Sequence, residues 1–256
     1  MKRTWTEERP PRIGLIMWDH PSGWAILEAL KEYAPEFGLE FVGHEVVPLL
    51  GALDTSVEWI RLSGKKPDCI LCYTYAAGFV TCVKDAARLE IQEKGIKLFC
   101  GPVAIDEVIL DIVGKDGEGW LILGLTATNI ETDLPEIGRI IEGGQKYRGF
   151  APEQVPSVYI GGWGHLGKIM VEGVRLAIEK VGFEKLTGRA VRDALCTMTN
   201  FDTGISPPTT IRNNRPLLVD HVRLQQVQQG RIVPVAEWEK IWEAPWFKEE
   251  MKNLTP

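Results

Sequence analysis

The chain has 256 residues, 45% apolar and 25% charged, with a formal net charge of −6. That balance fits a globular chain of one large domain or two small ones. It argues against a nucleic-acid partner, which needs a basic face, and the longest apolar run, 120–127, falls short of the roughly 18 residues of a membrane span.

The opening MKRTWTEERPPR has basic residues but no apolar core and no small-residue cleavage site behind them, so it does not read as a signal peptide. From Arg12 the pattern alternates between strand and helix. A continuous apolar run at 13–18 suits a strand covered on both faces. After Asp19-His20-Pro21-Ser22-Gly23, residues 24–37 have helical spacing, with Gly38 as a stop signal. Strands are expected at 39–47, 68–75, 96–100 and 119–125, and helices at 54–62, 77–91 and 106–113. Crossovers of this length imply parallel strands, and so a doubly wound sheet with helices on both faces.

The texture changes after Ala127. A charged amphipathic helix is expected at 134–148, a long helical stretch from Pro156 to Val181, and a further helix capped by Thr187. Near the end, Val222, Leu224 and Val227 alternate, Gln229-Gly230 marks a turn, and Arg231 to Val235 completes a hairpin. In the tail, Trp238, Trp242 and Trp246 are spaced by four, as on one stripe of a helix.

Several motifs invite chemical readings that their contexts oppose. Cys69 and Cys72 form a CxxC inside a strand, where residues three apart point to opposite faces, so they read as buried structural thiols and not as a metal or redox pair. Gly162 to Lys168 satisfies both GxGxxG and the core of a phosphate loop. Only 157–160 is available as a preceding strand, and Ile169 stands where Ser or Thr would reach magnesium, so close helix packing is the better reading. Asp202-Thr203-Gly204 is a single copy of a triplet that needs two copies for aspartic-protease chemistry. A turn in which Asp202 accepts local backbone N–H bonds fits instead. His20, His44, His165 and His221 lie far apart and form no helical pair, so neither a metal site, a cofactor site nor a catalytic residue is assigned.

The run NFDTGISPPTTIRNNRPLLVDHVRLQQVQQGRIVPV, from Asn200 to Val235, resembles the closing segment of the type I periplasmic solute-binding proteins, the branched-chain amino acid and amide receptors of ABC importers. There an FDTG-type turn, a Pro-Pro pair and a VRLYQV–DGK–VPV-like hairpin follow the last long helix. The resemblance extends from Pro11 to about Trp238. It implies an α/β fold in which a doubly wound, mostly parallel sheet forms a type I receptor lobe from 1–127 and 201–256. Residues 128–200 would be the helical remnant of an incomplete second lobe, since most of the family's N-terminal lobe has no counterpart here. Helices deprived of that sheet are expected to expose an apolar face and to favour a homodimer.

The family places ligand contacts at the carboxyl ends of the strands, where an open parallel sheet offers a crevice. Carried over, the ligand-binding positions are His20, Ser22 and Trp24 after the first strand, Tyr73 and Tyr75 after the third, and Pro102 and Val103 after the fourth. The family's ammonium-holding acid falls at Val103. A buried ammonium without a carboxylate is costly, which disfavours a free amino acid and suits a planar amide or aromatic solute. The resemblance thus implies a non-catalytic, cofactor-free receptor that binds a small solute in an interlobe cleft, works with a membrane permease, and is periplasmic or extracellular. With half the cleft unaccounted for, weak binding by this chain alone is expected. The alternatives are a ligand-sensing regulatory module of the same fold and, third, a doubly wound enzyme, for which Asp19 and His20 are the only adjacent candidates.

Overall fold

Strand β1 (Arg12–Trp18) owes its central place to having no polar side chain between Ile13 and Trp18. Leu15 and Met17 point to one face of the sheet and Ile16 to the other, and all three are fully buried. In this computed structural model, which describes residues 5–48, 52–102, 104–211, 219 and 221–241, the strand order is β2-β1-β3-β4-β5-β6-β7. The other strands are β2 (Glu40–Val47), β3 (Cys69–Tyr73), β4 (Lys97–Cys100), β5 (Leu121–Gly124), β6 (His221–Gln228), β7 (Arg231–Pro234) and the short β8 (Glu239–Lys240). β1 pairs in parallel with both β2 and β3, β3 with β4, and β4 with β5.

The chain divides into two compact units, Met1–Leu123 with Gln225–Val233, and Gly124–Leu224 with Pro234–Pro256. In the first, α1 (Pro21–Tyr33) covers the Leu15–Met17 face through Leu27, Ile26 and Leu30. Helices α2 (Ser56–Ser63), α3 (Ala76–Arg88) and α4 (Glu107–Val113) cover the opposite face. There Trp59, Phe79, Val83, Leu110 and Trp120 pack on Ile16, Ile70, Leu98 and Ile122. Trp120 meets the edges of Trp59 and Phe79 at centroid distances of 6.3 and 5.2 Å. The doubly wound parallel sheet expected from the alternation is therefore what the chain forms.

Two carboxylates anchor this unit. Asp85, on α3, accepts from the backbone N and hydroxyl of Thr55 at 2.6 and 2.9 Å, fixing the start of α2. Asp68, just before β3, accepts a two-pronged contact from Arg9 at 2.6 and 2.8 Å and the Arg12 amide at 2.7 Å, tying the chain's entry to the base of the sheet. Those Arg9 hydrogen bonds, with the Arg12 amide and against desolvation, hold the Asp68 carboxyl below its ordinary value.

In the second unit, α5 (Pro135–Arg148) packs Ile137 and Ile141 on Val155, Ile160, Ile205 and Ala127. One helical turn, α6 (Ser157–Tyr159), leads into a π-helical stretch, Ile160–Gly167, and then α7 (Lys168–Val181). The expected long helix is thus present but widened in its first half. The glycine-rich motif lies inside that helix and not at a strand-to-helix turn, the context a phosphate cradle requires. Gly164 has a packing reason instead: a Cβ there would lie 2.4 Å from Ile140 Cδ1 and 2.7 Å from Ile205 Cδ1. Helix α8 (Gly188–Leu195) is capped by the Thr187 hydroxyl, which accepts from the Ala190 amide at 3.1 Å, and packs on α7 around Ile169 and Met198. The helices of 128–200 therefore build cores of their own, while Leu166, Met170 and Val171 remain exposed.

Two expectations need correction. Burial in β6 follows only the last of its three apolar residues: Arg223, Gln225 and Val227 are buried, while Val222 and Leu224 are only half-buried. Arg223 tolerates this because Glu131 and Trp238 receive its guanidinium. Nor is Trp238 on a helix. It precedes β8, whose Glu239 and Lys240 pair antiparallel with Val222 and His221; Trp242 and Trp246 lie outside the described residues.

Asp85→Ala leaves the buried Thr55 donors unpaired, and a loss of about 2–3 kcal/mol is expected as a lower urea midpoint at unchanged slope. The Asp68 contribution is present above the ordinary Asp value and is lost as pH falls through the depressed native one. Asp68→Asn should therefore flatten the acid limb of the stability–pH curve and leave its alkaline limb in place.

Candidate functional site

The strand order places β1 between β2 and β3, so the chain leaves β1 over one face of the sheet and leaves β3 over the other. Loops that diverge in this way leave a crevice at the carboxyl ends of the two strands, the usual ligand position in an open α/β sheet. Trp18 ends β1, and its ring centroid lies 4.7 Å from that of His20 and 6.0 Å from that of Tyr75. Tyr75 is the residue just before α3 and is 50% exposed. Three aromatic rings from two loops thus form one face.

The first loop is rigid for local reasons. His20 caps α1, with Pro21 at the first helical position, where its missing N–H costs nothing. Ser22 N donates to His20 Nδ1 at 3.2 Å, and the Ser22 hydroxyl lies 2.9 Å from the same nitrogen. Trp18 Nε1 donates to Ser22 Oγ at 3.1 Å. A hydroxyl that accepts from the indole and sits beside a nitrogen already accepting an amide must give its own hydrogen to that nitrogen. Neutral His20 therefore carries its proton on Nε2, and that N–H has no partner among the described residues. Gly23 is required here, since a Cβ would lie 2.4 Å from the Trp18 carbonyl oxygen.

The structure brings together His20, Ser22 and Tyr75, and adds Trp18, which the sequence hid as the last residue of an apolar strand. Trp24 turns away: its Nε1 donates to Asp19 Oδ1 at 2.9 Å and its ring meets the edge of His44 at 6.4 Å. Burial, with Lys31 and Lys65 nearby, lowers the His44 pKa. Tyr73 packs with the core under α1 and against Gly101, whose Cβ would come within 3.3 Å of its ring. Pro102 is half-buried after β4, and Val103 lies outside the described residues. A separate concave space of about 400 Å³ occurs in the second unit, between the start of α5, the Asp202–Pro208 turn and Trp238.

Chemically, this face can stack and donate. Ser22 and His20 hold the atoms of a nucleophile–base pair, but no carboxylate hydrogen-bonds His20 among the described residues, and the Trp18 indole occupies an oxygen lone pair of Ser22. Their contact is a helix cap. Asp202 accepts the Gly204 amide at 2.7 Å in a local turn. Cys69, Cys72, Cys82 and Cys100 are free and buried. Burial pushes the Cys69 thiol up to about 12 and raises Cys72 and Cys100 as well, so these thiols stay protonated and unreactive. Among the described residues no three His, Cys, Asp or Glu side chains are grouped to share a metal ion.

A family model described as periplasmic binding protein matches residues 2–231, and the chain belongs to that family. Among solved structures, it is similar to a branched-chain amino acid ABC transporter protein from Thermus thermophilus with bound valine. The identity is 23%, the TM-score 0.79, and the match covers 95% of this chain and 63% of that one. A fatty acid ABC transporter substrate-binding protein from Thermomonospora curvata is 19% identical, with a TM-score of 0.74 over 98% of this chain and 61% of that one. An ABC transporter solute-binding protein from R. palustris in complex with benzoate is 14% identical, with a TM-score of 0.65 over 88% and 58%. The chain thus spans less than two thirds of each of these relatives, and at such identities the likeness concerns the fold. No curated protein matches the sequence.

The hydrogen bonds of the first loop set a measurable tautomer. In its neutral form, His20 should show by ¹⁵N spectra an unprotonated Nδ1 and a protonated Nε2, and Ser22→Ala should erode that preference. A protonated Nδ1 in the neutral ring would overturn the assigned network.

Proposed function

We propose that this chain carries the solute-contacting face of the substrate-binding component of an ABC importer. The observation behind this reading is the aromatic face of Trp18, His20 and Tyr75 at the switch point of the sheet, with no partner for the His20 Nε2–H among the described residues. Such a face offers stacking and a single directed hydrogen bond, which suits a planar aromatic acid or amide. The nearest carboxylate in these loops, Asp19, is exposed, and its Oδ1 accepts from Trp24 Nε1 at 2.9 Å. The relatives, whose descriptions name valine, a fatty acid and benzoate, share one fold across three ligand chemistries, so the choice rests on the rim residues. Ser22 acts by holding His20, and Pro102 would border the site from the loop after β4. Membership of the family supports delivery to a membrane permease from the periplasmic or extracellular side, without a catalytic step. Among the described residues no helix is long and apolar enough to cross a membrane.

A thermal-shift and titration panel of benzoate-type acids, amides and branched-chain amino acids tests the reading. Planar solutes should raise the melting temperature with dose. Tyr75→Ala and Trp18→Ala should each weaken binding about two- to tenfold, the range of one aromatic contact. A preference for aliphatic amino acids, or affinity indifferent to Tyr75, would sink the planar-solute reading.

A further inference from the structure

A concave space of about 520 Å³ opens in the first unit at the amino end of the sheet, opposite the end that carries the aromatic face. It is bounded by Arg9 ahead of β1, by the end of α2 with the loop into β3, and by the loop into β4. Its charges do not cancel. Asp68 is the one carboxylate among the lining residues, and it is engaged by the Arg9 fork at 2.6 and 2.8 Å and by the Arg12 amide. Glu93, beside Lys94 in the sequence, lies outside the lining. Lys66 and Lys94 line the space, both are exposed, and neither ammonium has a hydrogen-bond or ion-pair partner among the described residues. Two uncompensated positive charges thus share one groove in a chain whose formal net charge is −6.

The surrounding backbone suits an anion. Lys66 stands in the left-handed region at φ 53°, which glycine adopts more readily, and its carbonyl accepts from Arg12 Nη1 at 3.0 Å. The lysine side chain therefore leaves a backbone that is held in place. The carbonyls of Ile60, Leu62 and Ser63 at the end of α2 would repel an anion if they were open. The amides of Gly64, Lys65 and Lys66 already donate to them, at 3.0, 3.0 and 2.9 Å. Ile60, Pro67 and Ile96 supply apolar walls. A carboxylate would be met by one ammonium. Two ammoniums, each a compact point charge with three donors, match a dianion, and lysine binds phosphate in this manner.

We propose that this groove binds a phosphomonoester dianion, with Lys66 and Lys94 as its ligands and Ile60, Pro67 and Ile96 against its organic part. A soluble phosphomonoester and a phosphatidic acid headgroup present the same chemistry to it. The groove lies apart from the aromatic face and does not rest on the assignment of that face.

Two binding measurements on the full chain test this. One is titration calorimetry with glycerol 3-phosphate at low and at physiological salt. The other is flotation with phosphatidylcholine vesicles, with and without phosphatidic acid. Heat of binding that fades with salt marks a soluble ligand, and retention only by the phosphatidic acid vesicles marks a lipid. In either arm, Lys66→Gln and Lys94→Gln should each weaken binding about two- to fivefold, and together about tenfold or more. Both positions are exposed, so neither change threatens the fold. Lys180→Gln, the same charge change on α7 (Lys168–Val181), and Tyr75→Ala should leave binding as it was. Absence of binding in both arms would overturn the proposal. So would an equal loss with Lys180→Gln, or acetate bound as tightly as glycerol 3-phosphate.

Discussion

The candidate site exists because β1 has a neighbour on each side. A strand at the edge of the sheet would send its following loop where the next loop also goes, and no crevice would open. Here the step from β1 to β2 carries α1 over one face, and the return to β3 carries α2 over the other. Such a central strand must be apolar on both faces, and its ends are the first places where polar or amphipathic groups are tolerated. Trp18 stands at that boundary: its ring reaches the loops while its indole N–H finds Ser22. The same constraint that stabilises the sheet therefore places an aromatic ring at its mouth.

Charge is used sparingly and at joints. Asp68 holds the entry of the chain, Asp85 the start of α2, and Glu131 the turn that begins at Thr128 in the second unit. All three accept backbone amides that no ladder would satisfy, which makes each worth more than an exposed pair such as Arg175 with Glu172 and Glu179. For Glu131, burial works to raise the pKa, and the hydrogen bonds of Arg223 and Thr128 outweigh it, leaving the carboxyl below its ordinary value. The competition resolves toward the ionised form because four donors converge on two oxygens.

Most of the fold was legible in the sequence. Apolar runs, the Thr187 cap and the Gln229-Gly230 turn are local signals, and local hydrogen bonding decides them, whereas α1 ends at Tyr33, ahead of Pro35, and not at the expected Gly38. What stayed hidden depends on partners far along the chain. No periodicity says that Arg223 is buried, because its partners are Glu131 and Trp238, and the spacing of the tryptophans pointed to a helix at Trp238, directly after which Glu239 pairs with Val222. His20, Ser22 and Tyr75, expected from their loops, are brought together at the candidate face. Trp18 was not expected, since a terminal strand residue looks like the rest of its apolar run. Tyr73 and Trp24 share the right loops but lie on other faces, which alternation along a strand and rotation around a helix decide.

The distribution of thiols has a consequence for how this molecule can be interrogated. Four buried cysteines sit in the first unit and one half-buried cysteine, Cys196, in the second. Alkylation needs an accessible thiolate, so each buried sulfur stays silent until its own neighbourhood opens. The unaltered chain thus carries its own internal clocks. The order in which its cysteines acquire a mass tag during gentle denaturation would tell which half of the molecule lets go first, without a single engineered label.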